Sequence, residues 1–318
     1  MNERSINRRD FLAAAALAAA AGPPPRLWAS GPGPDRGQTA RVIQVTSDHI
    51  VRRRRVHGTI LGEMLDLTLR RVTGTDSSAA AWRSILKSDD LIGLKFNRSA
   101  AEGLGIREPF ADAVITSLLA AGFAPDQIVA IETSDDIFRK HGVVQPANGW
   151  HDKPTEFGSG RDLLAALLDQ VTAIINIPFL KTHNIAGITC CLKNLSHALI
   201  KHPARFHRNG CAPFIGDIVA LPAIRDKLRL HLVNALRIVF DQGPEASDRY
   251  TWDAGIMLAG MDPIAMDTAG LQIINSQRKI LSLPEIDLRT QAVYLEAAAK
   301  RGLGVQNRRW IETVKLRI

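Results

Sequence analysis

Cysteine is scarce in this chain of 318 residues, and the three that occur are Cys190, Cys191 and Cys211. An odd number of cysteines, two of them adjacent, does not form the regular pattern of a disulfide framework. Iron–sulfur clusters need four cysteine ligands in a recognisable spacing. We therefore expect neither a disulfide-stapled fold nor an iron–sulfur cluster held by this chain alone.

Long apolar runs are missing as well. The alanine-rich stretch at residues 13–21 is too short to cross a bilayer, and no other segment is both long enough and apolar enough. We therefore expect no stable membrane span in the mature protein. The stretch follows residues 8–12 (RRDFL), and paired arginines before Phe-Leu and a mildly apolar segment resemble a twin-arginine export signal. The alternatives are a frayed helical N-terminus or an uncleaved anchor.

The export signal sets the expected boundaries of the mature protein. We expect residues 1–30 to be the signal peptide, cleaved near Ala29 or Ser30, and residues 31–40 to be a linker rich in Gly and Pro. The protein would then be periplasmic or otherwise exported, with the twin-arginine machinery as a partner. That machinery carries folded proteins, and many of them acquire a cofactor in the cytoplasm first.

Aromatic residues make up 5% of the chain, with only two tyrosines, and the net charge of +8 is modest. Residues 52–55 form one run of four arginines, a composition found in nucleic-acid and acidic-lipid sites. No aromatic residue is interleaved with the run, so it lacks the stacking surface that single-stranded nucleic acid requires. We expect a solvated basic face and no nucleic-acid partner.

Segments typical of strands and helices alternate along the rest of the chain. Strands are predicted at residues 41–45, 91–96, 128–131, 174–177, 230–240 (one strand or two) and 256–259. Helices are predicted at residues 61–69, 79–86, 109–121, 162–168, 264–274 and 291–300, and residues 135–160 are expected to be irregular. This alternation predicts an α/β fold over residues 41–318, with a mainly parallel sheet flanked by helices, as one domain or two lobes.

Polar side chains gather after the predicted strand at residues 174–177, which Pro178 stops. Lys181, His183 and Asn184 follow it, and Lys193 and Asn194 return after a small-residue turn at residues 186–187. Lys95 and Asn97 lie at the end of another predicted strand. Ligands of open α/β sheets bind outside the carboxyl ends of strands, so these residues predict one crevice.

Lysine ammonium groups attract carboxylate or phosphate, and amides add directional hydrogen bonds. The predicted ligand is therefore a small anionic molecule. The alternative for each residue alone is a solvated loop charge or a turn-capping amide. The residues predicted to bind the ligand are Lys95, Asn97, Lys181, Asn184, Asn194 and Asp267, the last because a carboxylate in an apolar helix needs a partner. Asp262, just before Pro263, is predicted to cap that helix.

Histidine supplies candidates for catalysis and metal binding, since it titrates near neutral pH and is the commonest metal ligand. His183 and Lys193 are the predicted catalytic residues, and His207 is the predicted metal ligand. His197 and His202 precede His207 at intervals of five, which places no two of the three on one helical face, so both are expected to be surface or capping residues. A Gly-rich phosphate loop, a GxSxG elbow and an HExxH element are absent from the sequence.

Several of these segments, taken in order, resemble the family known as domain of unknown function 362. They are residues 93–97 (GLKFN), 175–184 (INIPFLKTHN), 192–195 (LKNL), the pair Arg205 and His207, and residues 258–267 (LAGMDPIAMD). Many proteins exported by the twin-arginine route belong to that family, which agrees with the N-terminus.

The spacing of His183, Lys193 and His207 is similar to that in the nickel-pincer lactate racemases. In that family a lysine ten residues after a histidine tethers the cofactor, and a later histidine binds nickel. The resemblance implies a metal ion or a nickel-type organic cofactor near Lys193 and His207, although the sequence leaves the cofactor unidentified.

Two functions remain open at this point. One is an exported enzyme acting on a small carboxylate or phosphate compound, with a metal ion or other cofactor as an option. The other is a periplasmic ligand-binding or redox-accessory protein without catalysis, which the same lysines and amides would serve. The sequence does not decide between them.

Overall fold

The structure is a computed structural model that describes residues 39–318. The predicted signal peptide, its cleavage region and most of the predicted linker lie outside the described residues. Within residues 39–318, no helix combines the length and the apolar character needed to cross a membrane.

Strands and helices are numbered here in chain order. The strands are β1 (Ala40–Thr46), β2 (Val51–Arg52), β3 (Arg55–Val56), β4 (Ile92–Lys95), β5 (Ile128–Ile131), β6 (Thr155–Glu156), β7 (Arg161–Asp162), β8 (Ala173–Asn176), β9 (Phe179–His183), β10 (Gly187–Thr189), β11 (Leu228–Val239), β12 (Thr251–Gly260) and β13 (Ile311–Arg317). The helices are α1 (Gly58–Thr73), α2 (Ser78–Ile85), α3 (Ala101–Leu104), α4 (Arg107–Ala120), α5 (Asp135–His141), α6 (Leu167–Gln170), α7 (Cys191–Ser196), α8 (Phe214–Val219), α9 (Pro222–Arg225), α10 (Pro263–Ile280) and α11 (Tyr294–Lys300).

Nine of these strands form one mixed sheet. Seven follow the order β13-β1-β12-β11-β8-β4-β5, while β9 pairs with the second half of β11 and β10 pairs with β9. The strands β11, β8, β4 and β5 run parallel, and β12 is antiparallel to both of its neighbours. The prediction of an α/β fold with a mainly parallel sheet flanked by helices is confirmed. The strands β4, β5 and β8 are short and buried on both faces, as strands covered by helices on both sides must be.

The core on one face of the sheet lies under α1, α2 and α4. Trp82 of α2 is fully buried there, and its indole N–H donates to Ser117 Oγ of α4 at 2.9 Å, so its polar group is satisfied. On α10, Asp262 caps the N-terminus as predicted, because its Oδ1 accepts hydrogen bonds from the backbone N–H groups of Ile264 and Ala265.

The strand β8 ends at Asn176, close to its predicted end, but another strand follows it where a loop was expected. After the break at Ile177 and Pro178, the chain continues as β9 along the same neighbour, since β11 pairs first with β8 and then with β9. The backbone N–H of Asn234 donates to the Pro178 carbonyl at 2.9 Å and bridges the break. Lys181 and His183 were expected in a loop after the strand, but they lie within β9.

Two other local predictions are wrong. Residues 162–168 were expected to be a helix, but Asp162 ends β7 and only the short α6 follows. The Asp162 carboxylate accepts from the backbone N–H groups of Leu163 and His202, which holds this segment as a turn against a distant loop. Residues 135–160 were expected to be irregular, but they begin with α5 and contain β6. The basic run at residues 52–55 forms the exposed hairpin β2–β3, as a solvated face should.

Candidate active site

A cleft of about 510 Å³ opens beyond the carboxyl ends of β4, β5 and β9. Its walls include Asn97, Lys181, His183, Lys193, Asn194 and His207, all of which the sequence singles out. Arg98, Ser99, Glu132 and His197 also line it. The structure thus brings six of the nine predicted site residues to one cleft, at the strand ends where ligands of such sheets bind.

The three other predicted site residues do not line the cleft. Asn184 is exposed in the turn between β9 and β10. Lys95 lies beneath the floor. Asp267 is fully buried behind α7, where its carboxylate accepts hydrogen bonds from the backbone N–H groups of Cys191 (2.6 Å) and Leu192 (3.3 Å) and from the Tyr294 hydroxyl (3.0 Å). Burial raises the pKa of Asp267 to about 6, although these donors oppose the shift. Asp267 therefore anchors the helix that carries Lys193 and Asn194.

The floor of the cleft is a network of amides centred on Asn194. Asn194 Oδ1 accepts from Lys95 Nζ (3.2 Å) and Asn97 Nδ2 (2.9 Å). Its Nδ2 donates to the Lys95 carbonyl (3.2 Å) and to Asn176 Oδ1 (2.8 Å). This use of both amide atoms makes Asn194 a structural centre of the floor more than a ligand contact. Asn97 Oδ1 has no hydrogen-bond partner among the described residues, so that acceptor is available.

Lys95 is held by internal partners. Its Nζ donates to Glu132 Oε2 at 3.0 Å and to the Phe96 carbonyl at 2.6 Å, besides Asn194. Glu132 directly follows β5 and has a left-handed φ of 63°, and its carboxylate also accepts from the Arg98 backbone N–H at 3.0 Å. The charge of Lys95 is therefore neutralised inside the protein.

Lys181 and Lys193 differ from Lys95, because neither forms an ion pair within residues 39–318. Lys181 Nζ donates to the carbonyl and the hydroxyl of Ser99, each at 2.8 Å. Burial lowers the pKa of Lys181 to about 8; Glu245, whose carboxylate also binds Ser99, opposes the shift, and Lys193 adds to it. Burial likewise lowers the pKa of Lys193 to about 8, against the attraction of Cys211.

The hydrogen bonds of His207 and His183 determine their tautomers. His207 Nδ1 donates to the Pro203 carbonyl at 3.0 Å, so Nε2 carries a lone pair and accepts from Lys193 Nζ at 3.2 Å. His183 Nδ1 accepts from the backbone N–H groups of Ile185 (3.2 Å) and Ala186 (3.3 Å), so its proton resides on Nε2. Burial, followed by repulsion from Lys193, lowers the pKa of His183 to about 3. The rings of His183 and His207 stack with centroids 5.7 Å apart.

His197 was expected to be a surface or capping residue, but it is buried and lines the cleft. Its Nε2 donates to the Phe206 carbonyl at 3.1 Å, and burial lowers its pKa to about 2. The interval of four residues from Lys193, one helical turn, is the sequence signal that could have placed it beside that lysine. Ser99 and Glu132 follow strand ends but were not predicted as site residues.

Two groups of side chains within residues 39–318 have the donors to hold a metal ion. One consists of His197, His207 and Cys211, and the other of Cys190, Cys191 and Asp267. Lys193, a predicted catalytic residue, and His207, the predicted metal ligand, are in direct contact through the 3.2 Å hydrogen bond.

A family model described as domain of unknown function (DUF362) matches residues 92–272, which is more than half of the chain. Every residue that lines the cleft falls within the matched range. No curated protein matches the chain.

Proposed function

The chain belongs to the DUF362 family, and because that description names no activity, we propose a function from the cleft itself. The protein binds a small carboxylate or phosphate compound through Lys181 and Lys193 and acts on it as an enzyme. His183 and Lys193 contact the reacting part of that compound.

The observation that carries the proposal is the pair of buried lysines without a carboxylate partner in ion-pair contact. An unpaired buried ammonium costs several kcal/mol, which a fold does not sustain unless the group serves a purpose. Lys181 and Lys193 face one cleft, and the guanidinium of Arg98 adds a third positive charge at its wall. An anion entering the cleft would supply the missing counter-charge.

The hydrogen bonds of the cleft assign distinct roles. His183 presents Nε2–H, because Nδ1 is occupied by two backbone donors, so His183 polarises an oxygen of the ligand by donating a hydrogen bond to it. Lys193 donates to His207 Nε2, and a proton can therefore pass between the ligand, Lys193 and His207. Asn97 Oδ1, which lacks a partner among the described residues, accepts from a hydroxyl or amine of the ligand.

Ligand binding is tested with the purified full-length protein and a panel of sulfate, phosphate and short mono- and dicarboxylates. Any member that binds should raise the melting temperature in proportion to its saturation. Lys181→Met and Lys193→Met should abolish that rise. Lys201→Met removes an exposed lysine outside the cleft and should retain it. The proposal is wrong if no anion raises the melting temperature, or if both cleft variants respond like the wild type.

A non-catalytic binding protein is the second candidate, and the fixed tautomer of His183 favours it. With a pKa near 3, this histidine donates a hydrogen bond without titrating. Proton NMR in D₂O distinguishes the two functions for any carboxylate that binds. An enzyme that moves protons should exchange the hydrogen next to the carboxylate for deuterium, whereas a binding protein should leave it in place.

We also propose that the protein is exported by the twin-arginine route. The support is residues 8–12 (RRDFL) followed by the alanine-rich stretch, which lie outside the described residues. Replacing Arg8 and Arg9 by lysine tests this proposal, because the positive charge is kept while the paired arginines are removed.

A further inference from the structure

Two imidazoles and one thiol converge at the inner wall of the cleft. One ligand atom from each of His197, His207 and Cys211 lies within 4.8 Å of the other two. We propose that these three residues bind a divalent transition-metal ion such as Zn²⁺ or Co²⁺. This site goes beyond the proposed anion binding and shares with it only the contact between Lys193 and His207.

The donor set suits that class of ion. Zn²⁺ and its neighbours prefer imidazole nitrogen and thiolate sulfur, whereas Mg²⁺ and Ca²⁺ prefer oxygen. In a tetrahedral site, bonds of about 2.0 Å to nitrogen and 2.3 Å to sulfur place neighbouring ligand atoms roughly 3.3–3.7 Å apart. The three ligand atoms therefore need to approach one another by at most about 1.5 Å.

The surroundings of the two histidines are those of metal ligands. A ligating histidine usually donates its second ring N–H to a carbonyl or carboxylate, which fixes the lone pair toward the ion. His207 donates from Nδ1 to the Pro203 carbonyl, and His197 donates from Nε2 to the Phe206 carbonyl. The two rings meet edge to face with centroids 4.5 Å apart. His197 Nδ1 accepts from Ser196 Oγ at 3.0 Å, a hydrogen bond that an ion has to displace.

The metal site is open toward the cleft on the side where Lys193 lies. Cys211 is fully buried and His197 nearly so, while His207 is half-buried at the cleft. The lone pair of His207 Nε2 now accepts from Lys193 Nζ, so an ion has to displace that ammonium group. Three protein ligands with the fourth position toward a cleft form the arrangement of catalytic zinc sites.

The second group of donors, Cys190, Cys191 and Asp267, does not offer the ion an alternative site. Asp267 already accepts three hydrogen bonds, and Cys190 and Cys191 are fully buried with it in the core. An ion bound there would take the Asp267 carboxylate away from the backbone N–H groups at the N-terminus of α7. Cys190 therefore provides a matched control thiol, and His49, which is exposed, provides a control histidine.

Cobalt titration of the metal-free full-length protein, without any added anion, tests the site. One Co²⁺ per chain should bind and give the thiolate-to-metal charge-transfer absorption, which Zn²⁺ should displace. Cys211→Ser should remove this band and weaken binding at least tenfold. Lys193→Met should tighten binding, because it removes the competitor for His207 Nε2. Cys190→Ala and His49→Asn should bind like the wild type.

Three results would overturn the site: no cobalt bound at millimolar concentration, a band that survives Cys211→Ser, or a band that disappears in Cys190→Ala. If Cys211→Ser does not fold, X-ray absorption of the zinc-loaded wild type replaces it. That spectrum should show one sulfur at about 2.3 Å with two imidazoles, and a sulfur-free shell would contradict the proposal. Anion binding is measured separately on metal-free protein, so either proposal can fail alone.

Discussion

Lys95 and Lys181 are each 1% exposed, yet only Lys95 contacts a carboxylate, Glu132 Oε2 at 3.0 Å. The two lysines are equally removed from water, and they differ in whether a negative charge compensates them. Lys95 contributes to a satisfied network that supports the floor of the cleft. Lys181 keeps an uncompensated charge directed at the cleft, at a cost to the folded state.

Methionine substitutions at these two lysines should change stability in opposite directions. Lys95→Met leaves Glu132 and Asn194 without their donor, so the free energy of unfolding should fall by about 2–4 kcal/mol. Lys181→Met removes a charge that burial disfavours, so the free energy of unfolding should rise by about 1–3 kcal/mol at pH 7. Urea unfolding measures both, with the exposed Lys201→Met as a control. If the free energy of unfolding changed in the same direction in both variants, the two lysines would not differ in charge compensation as described.

The gain from Lys181→Met should disappear in alkali. The pKa of Lys181 is about 8 in the folded protein and 10.5 in the unfolded chain. Between those values the unfolded chain holds more protons, so wild-type stability rises with pH relative to the variant. Urea unfolding of both proteins at pH 7, 9 and about 10.5 should show the difference shrinking across this window. A difference that stays constant with pH would show that folding does not lower the pKa of Lys181.

Anion affinity should also depend on pH through Lys181. Burial lowers its pKa to about 8, while Glu245 and Glu132 oppose the shift and Lys193 adds to it. Sulfate stays ionised across the range and is the suitable probe. Because the pKa of Lys193 is about 8 as well, sulfate affinity should be constant below pH 7 and should fall at least tenfold per pH unit above 8. Calorimetric titration measures this, and an affinity that persists at pH 10 would exclude Lys181 as a ligand.

Asp267 should matter to both stability and binding, although it does not touch the cleft. Asp267→Asn turns an amide N–H toward backbone donors, so the free energy of unfolding should fall by about 2–4 kcal/mol. Tyr294→Phe removes one hydrogen bond to the same carboxylate and should cost about 1 kcal/mol. Because α7 carries Lys193, Asp267→Asn should also weaken sulfate binding. Unchanged binding in a folded Asp267→Asn protein would show that α7 holds its position without this anchor.

Export should require the paired arginines. Replacing Arg8 and Arg9 by lysine should leave the full-length precursor in the cytoplasm, whereas the native sequence should yield a periplasmic form shortened near residue 30. Cell fractionation followed by N-terminal sequencing measures both results. A lysine variant that is exported normally would argue for another route.

The apolar strands of the sheet were predictable, because a short run of apolar residues indicates a strand buried on both faces. The strands β4, β5 and β8 are runs of β-branched and apolar residues, and each lies within a residue or two of its expected position. The strand β13 (IETVKLR) was missed, since its polar residues face solvent at the edge of the sheet. The strand β9 was missed for another reason: Lys181 and His183 read as loop residues unless the cleft beside them is known.

The candidate site was predictable only where it follows strand ends. Lys181, Lys193 and Asn97 were found by that rule, and the structure places them together. The burial of Lys95 was not predictable, because Glu132 is 37 residues away and its left-handed backbone decides where the carboxylate points. The proximity of Cys211 to His197 was not predictable either, because it depends on the irregular loop between them.

The order of the sheet places β13 at one edge, with β1 and β12 between it and β11. The residues of the cleft come from the other half of the sheet. Three strand spacings separate β13 from β11 by about 14 Å. Because β13 runs parallel to β1, and β1 and β11 are both antiparallel to β12, β13 ends on the same side of the sheet as the cleft; a fluorophore attached at Ile318 would share that side. The fold thus provides an attachment point for an optical reporter of ligand binding, and for immobilisation that keeps the cleft open to solution.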